Sequence, residues 1–205
     1  HETARLAIES VNPRATMRNH WLDMVAELRT VITIFVDVIG LDAEFTAGRL
    51  HMVQKTMEVA MLTWSRFEGT LRQFCVDDKG VVLIGAFGLP GFHHEDNEAR
   101  AISSAMELRS GLMAIGLKSK IGIAKGEKVF CGLVGHPRLR CEYAMMGPSV
   151  NLAARLMGKA KENCIIVPES VQLAADHLFE FASRDKVNAK GYTDPIAIFE
   201  PMGAK

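Results

Sequence analysis

The stretch from Cys131 to Gly158, CGLVGHPRLRCEYAMMGPSVNLAARLMG, restricts the fold more than any other part of the chain. Two short β-type runs, VFCGLVG and CEYAMMG, flank a polar turn at His136-Pro137-Arg138 and predict a hairpin. Gly147-Pro148 then opens a helix. Proline suits the first helical position because its missing N–H would have had no intrahelical acceptor there. Val150, Ala153, Ala154 and Met157 recur at helical spacing and predict the apolar stripe, with Asn151 and Arg155 one turn apart on another side. An amide and a guanidinium therefore point the same way.

The rest of the chain supplies a frame for that unit. Trp21 to Leu28 reads as a short helical approach, and VITIFVDVIGL from Val31 to Leu41 as a strand buried on both faces, interrupted by the single acid Asp37. A charge inside such a run costs several kcal/mol unless it is paired or bound to a cation. Two roles stay open for Asp37 on this basis: a strand-end acid that meets water or a helix N-terminus, or a metal ligand. Residues 47–67 follow as a helix with Leu50, Val53, Met57, Ala60, Met61 and Trp64 inward. TLRQFCV and VVLIGAFG form a hairpin across Asp77-Asp78-Lys79-Gly80, with a positive backbone dihedral expected at Gly80.

His93-His94-Glu95-Asp96 looks like a ligand cluster, but adjacent histidines do not aim at one ion from a helix or a strand. It reads as the start of a helix that runs to about Ile115, with Ala101, Ala105, Leu108, Leu112 and Met113 inward and Asp96 and Glu98 near its positive end. SKIGIAKGEKVFCGLVG then predicts two strands meeting at Lys125-Gly126. Beyond the central helix come a strand at Cys164–Pro168, a small helix from Glu169 to His177, and a terminal strand pair around Lys190–Asp194. Strand, helix, hairpin, helix, hairpin, helix and strand pair make an α+β domain, its mainly antiparallel sheet covered by helices.

Composition removes several function classes. The 205 residues contain 24 Lys+Arg against 24 Asp+Glu, so there is no basic field for nucleic acid and any phosphate recognition must be local. Cys75, Cys131, Cys141 and Cys164 show neither zinc spacing nor a disulfide framework, and fit a reducing, cytoplasmic setting as small buried hydrophobes. No apolar run approaches the ~18 residues of a membrane span, which argues against direct membrane contact. Residues 1–20 read as a lead-in and 21–205 as one domain. Since the sequence opens at His1 without a methionine, it is taken as a piece of a longer protein whose other parts are free to carry an anchor.

Taken together, these stretches resemble the class III nucleotidyl cyclase catalytic domain, in particular the second catalytic half of the soluble, bicarbonate-responsive adenylyl cyclases. The resemblance rests on the G-x-V-G-H turn at Gly132–His136, the Glu142-Tyr143 run, the V-N-L-A-A-R helix at 150–155, and Phe35-Val36-Asp37-Val38-Ile39-Gly40-Leu41. It implies a ferredoxin-like core and a fold that covers nearly the whole chain after Trp21. It also implies roles: Asn151 and Arg155 on the ribose and triphosphate, Asp37 on two divalent cations, Mg²⁺ or Mn²⁺, with Asp77 or Asp78 as the second acid, and Lys190 in Val187-Asn188-Ala189-Lys190-Gly191 on the terminal phosphates. For Asp77 and Asp78 a plain turn role stays open beside the metal role, as does an ordinary turn lysine for Lys190.

At the base the sequence departs from the family pattern. The positions expected to read adenine are Gln73 and Ala144; Gln73 can still donate and accept hydrogen bonds, and the Ala144 side chain can do neither. Overall similarity favours ATP over GTP. The resemblance implies attack of the ribose 3′-hydroxyl on the α-phosphorus in a site shared by two cyclase domains, a homodimer or a second catalytic half. The rival expectation is a cyclase-like partner domain with a regulatory or dimerisation role.

Overall fold

The sheet is built outward from β1 (Glu27–Ile39), whose Val31, Ile32, Ile34, Val36 and Val38 are buried. β-Branched residues fill a strand covered on both sides, so the most apolar run in the chain takes a central place. The computed structural model describes residues 27–41, 47–77, 80–136, 139–188 and 194–205. After β1 come α1 (Ala47–Arg66), β2 (Thr70–Asp77), β3 (Gly80–Phe87), α2 (Asn97–Ala114), β4 (Lys118–His136), β5 (Arg140–Met146), α3 (Pro148–Lys159), β6 (Cys164–Pro168), α4 (Glu169–Ala175), β7 (Phe179–Val187) and β8 (Ile196–Ala204). The eight strands among the described residues run in the order β2-β3-β1-β4-β6-β8-β7, with β5 added to β4. Among the described residues every pairing is antiparallel except β4 with β6.

Alternation along β1 separates two faces. Ile32, Ile34, Val36 and Val38 join Leu83, Ile121 and Ile123 under α1, α2 and α4, which contribute Ala60, Trp64, Ile102, Leu108, Leu112 and Val171. On the opposite face Phe35, Ala124, Ile166 and Ile198 meet Leu152, Ala153 and Leu156 of α3. The expected α+β class and mainly antiparallel sheet are present, and Gly80 has φ +127° as its turn requires. Among the described residues no helix is long and apolar enough to cross a membrane.

Several local expectations change. Glu27 and Leu28 belong to β1 and not to a helical approach, and Trp21 to Ala26 lie outside the described residues. β4 is one strand of 19 residues that passes through Lys125-Gly126 without a turn; its irregularity is a bulge just beyond, where Glu127 and Lys128 stand opposite the single residue Thr30 of β1. Leu50, Met61 and Met113, expected inward, are exposed, while Thr56 and Thr63 take buried places on α1. The buried side of α3 is Ser149, Leu152, Ala153 and Leu156, a stripe rotated from the expected one, which keeps only Ala153.

Candidate functional site

α3 lies almost against the backbone of β4. A Cβ on Gly122 would come 2.2 Å from the Ala153 carbonyl oxygen and the Met157 nitrogen, and one on Gly126 would come 2.1 Å from Ser149 Oγ. Glycine is needed at both places because the helix sits where a side chain would stand. Pro148 starts α3, and the Val150 N–H donates to the Gly147 carbonyl at 3.2 Å. This fixes the rotation of the helix, so that Asn151 is exposed and Arg155 half-buried, one turn apart on the side away from the sheet core.

Asp37 lies on the same face of the sheet as α3. Its register neighbours form a row across four strands: Cys75 opposite Val82, Val82 opposite Asp37, and Asp37 opposite Lys120. Along β4 the order Gly126, Gly122, Lys120 follows α3 from its first turn toward its C-terminal end, so Asp37 and Lys120 stand on the side of that end. The Asp37 carboxylate is 27 % exposed, with Oδ2 3.8 Å from Lys120 Nζ. That distance gives charge compensation without a hydrogen bond.

A carboxylate in this position suits a hard cation. Mg²⁺ is commonly held by one or two carboxylates together with substrate phosphates and not by a full protein cage, so Asp37 fits as one such donor. Among the described residues no cluster of three His, Cys, Asp or Glu forms a complete cage. Asp77 ends β2 opposite Gly80; Asp78 and Lys190 lie outside the described residues.

At the positions expected to face a base, Gln73 is exposed on β2 and Ala144 half-buried on β5. Between Leu71 and Gln73 the β2–β3 register slips, which leaves Arg72 as the bulged residue. The guanidinium of Arg72 lies 5.2 Å from the Tyr143 ring centroid and donates from Nη2 to the Tyr143 main-chain carbonyl. Tyr143 and Cys131 share one side of the β4–β5 hairpin with Met145, against Val31, Ala86 and Leu89. Burial there pushes the Tyr143 phenol up to about 12, raises the Cys131 thiol and lowers the Arg72 guanidinium from its ordinary value. Tyr143 and Cys131 are thus both protonated near neutral pH.

Neither Arg72 nor Lys120 stands out in the sequence. Both depend on strand register, since a bulge turns Arg72 and a cross-strand pairing brings Lys120 to Asp37. The signal available beforehand was the position of Arg72 beside Gln73. Of the His93-His94-Glu95-Asp96 cluster, His94 and Asp96 join a polar network: His94 Nε2 and Arg100 Nη1 approach Glu68 at 2.9 and 2.7 Å, and Arg100 Nε donates to Asp96 at 2.7 Å.

Comparison with known proteins adds a lineage to this geometry. The model of the adenylate and guanylate cyclase catalytic domain matches residues 23–199. Adenylate cyclase type 10 from Homo sapiens is 34% identical over 184 residues, and its Rattus norvegicus counterpart 30% identical over the same length. Each match covers 87% of this chain and 11% of the relative, so the chain spans about a tenth of those proteins. Among solved structures, the adenylyl cyclase CyaB from P. aeruginosa superimposes with a TM-score of 0.80 at 17% identity, covering 88% of this chain and 97% of that one. The guanylate cyclase domain of RhGC from Catenaria anguillulae, solved in complex with GTP, gives 0.77 at 18%, covering 88% of this chain and all of that one. At these identities the two structures establish a shared fold.

Proposed function

Since the chain belongs to the adenylate and guanylate cyclase catalytic domain family, we propose that residues 21–205 form a catalytic unit that converts a nucleoside triphosphate, ATP in preference to GTP, to its 3′,5′-cyclic nucleotide and pyrophosphate. The observation that carries this reading is the presentation of Asn151 and Arg155 on the outer side of a helix held against Gly122 and Gly126. A guanidinium carried on a helix packed this closely against the sheet is held in place, and preorganised donors aimed at developing charge are worth about 10²–10³ in rate.

In the reaction the O3′–Pα bond forms, the bond from Pα to the bridging oxygen of the leaving pyrophosphate breaks, and the 3′-hydroxyl proton is lost. Asn151 orients the ribose, so that the hydroxyl lies in line with the bond to be broken. Arg155 binds oxygens whose charge grows toward the transition state. Asp37, with Asp77 or Asp78, would hold Mg²⁺ or Mn²⁺, whose chemistry is to acidify the hydroxyl and neutralise phosphate charge. Lys190 takes the terminal phosphates. Asp37 and the Asn151/Arg155 helix serve different sites of a two-domain assembly, in which each site draws acids from one domain and the helix from the other. The partner is a second copy or another cyclase domain, and the setting is cytoplasmic.

A second reading, a cyclase-like partner that supplies Asn151 and Arg155 while another domain supplies the metal, is favoured by the ammonium of Lys120 beside Asp37 and by Ala144. Incubation of the purified domain with ATP or GTP and Mn²⁺, with cyclic product separated from substrate, decides between them. Product from the domain alone supports a self-sufficient enzyme. Product only after a metal-bearing cyclase domain is added supports the second reading, and none in either case removes both.

A further inference from the structure

We infer that Arg72 is a positioning residue for base recognition: it ties the Tyr143–Ala144 peptide of β5 to β2 and so sets the spacing between the two strands that carry Gln73 and Ala144. The inference rests on the nucleotide-binding reading above and extends it to a residue outside the reacting groups.

β2 and β5 are far apart in the sheet order, with β3, β1 and β4 between them, yet Arg72 and Tyr143 touch. The long β4–β5 hairpin therefore curls back over the sheet toward β2. Among the described residues β5 pairs only with β4, which leaves its outer edge without a strand. Arg72 supplies that edge with a charged donor, a stronger bond than a neutral amide gives. The bulge at Arg72 is what makes the reach possible, because a residue outside the register is free to turn from the alternation that places Gln73 opposite Ile84. The carbonyl it holds belongs to the same peptide unit as the nitrogen of Ala144.

Two further features show that this contact is a built one. Arg72 Nε is closed off from solvent, with no protein hydrogen-bond partner among the described residues, and the Tyr143 hydroxyl is closed off from solvent beside the buried Cys131 thiol. The guanidinium is therefore placed by the ring face and by one carbonyl, a pair of constraints that fixes both its distance and its tilt. Arg72 is also adjacent to Gln73 and Tyr143 adjacent to Ala144, so a shift of the clamp moves both base-facing positions together. Small displacements of positioning groups cost up to about 100-fold in rate, and the loss falls on base discrimination when the groups displaced are those that meet the base.

The test uses Arg72→Met, Arg72→Lys and Tyr143→Phe in the whole chain, with fold checked by circular dichroism. Docking of the hairpin is read from the alkylation rate of the fully buried Cys131 by iodoacetamide, followed peptide by peptide in a mass spectrometer. Recognition is read from the dissociation constants of fluorescent ATP and GTP analogues and of inorganic tripolyphosphate, which has no base. Arg72→Met should speed Cys131 alkylation about ten-fold and change the ATP-to-GTP affinity ratio at least three-fold, with tripolyphosphate affinity unchanged. Arg72→Lys, which keeps the charge over the ring but loses the planar fork, should fall between. Tyr143→Phe keeps ring and carbonyl, so Cys131 should stay protected. Unchanged alkylation in Arg72→Met overturns the clamp, and equal losses for ATP, GTP and tripolyphosphate overturn its link to the base. If wild type binds no nucleotide, the functional reading and the base link both fall, and Cys131 alone decides whether the clamp exists.

Discussion

Asp37 occupies a strand whose inward neighbours Val36 and Val38 are fully buried, and its carboxylate keeps company with one ammonium 3.8 Å away. A divalent cation bound there gains from the acid and is repelled by Lys120, so the two residues set metal affinity in opposite directions. Asp37→Asn should abolish Mn²⁺-dependent turnover with little change in thermal unfolding, and Lys120→Met should lower the Mn²⁺ concentration needed for half-maximal rate. Both are checked by metal titration of cyclic product formation; a Lys120→Met protein that needs more Mn²⁺ would refute the repulsion. Tyr143 gives a separate prediction in pH. Burial holds its phenol at about 12 in the folded chain, against roughly 10 when unfolded. Between those values the unfolded chain loses the proton first, so this group's contribution is complete below about 10 and is lost as pH rises toward 12. Tyr143→Phe should therefore lose less stability between pH of about 9 and 11 than wild type does in urea titrations. An equal loss would place the alkaline sensitivity elsewhere, with the raised Cys131 thiol the next candidate.

The weight of α3 on β4 is the element-scale claim. Gly122→Ala puts a methyl within 2.2 Å of helix backbone, so either α3 lifts or the strand recedes. Overpacking of this kind costs typically 1–3 kcal/mol, and the displaced Asn151 and Arg155 should lower turnover at least ten-fold. Urea unfolding with an unchanged m-value and a lower midpoint checks the first part; a variant as stable as wild type would show that the helix is not packed as described. Element by element, what the sequence could reveal was local. The Gly147-Pro148 start of α3, the β2–β3 hairpin with its positive-φ Gly80 and the apolar run of β1 carry their causes within a few residues. Lys125-Gly126 reads as a turn because its reason is elsewhere: Gly126 is small to admit Ser149, and β4 continues through it with a bulge at Glu127-Lys128. The phase of α3 was misread because Val150/Ala154/Met157 and Leu152/Leu156 both satisfy helical spacing, and only contact with Ala124 and Ile166 selects the second. Leu50 and Met61 fit an inward stripe by period yet lie outside it. In the candidate site Asp37, Asn151 and Arg155 stood out by pattern, whereas Lys120 and Arg72 acquire their meaning from register across the sheet.

At the scale of the whole molecule, the central claim is that a working site is shared, with Asp37 from one domain and Asn151 and Arg155 from its partner. In a two-fold pair of this chain, residue i of one copy meets residue j of the other and the reverse holds as well, so two equivalent sites form. Asp37→Ala and Arg155→Ala chains should each be inactive as pure samples. A mixed pair places both lesions in one site and leaves the other intact. The most direct test is therefore cyclic nucleotide production by a mixture of the two variants, with subunit exchange verified by native mass spectrometry. Free exchange makes half of the pairs mixed with one good site each, so activity should recover to about a quarter of wild type. A mixture that stays silent after verified exchange, beside an active wild-type sample, would contradict the shared site and return Asp37 and Arg155 to a single chain.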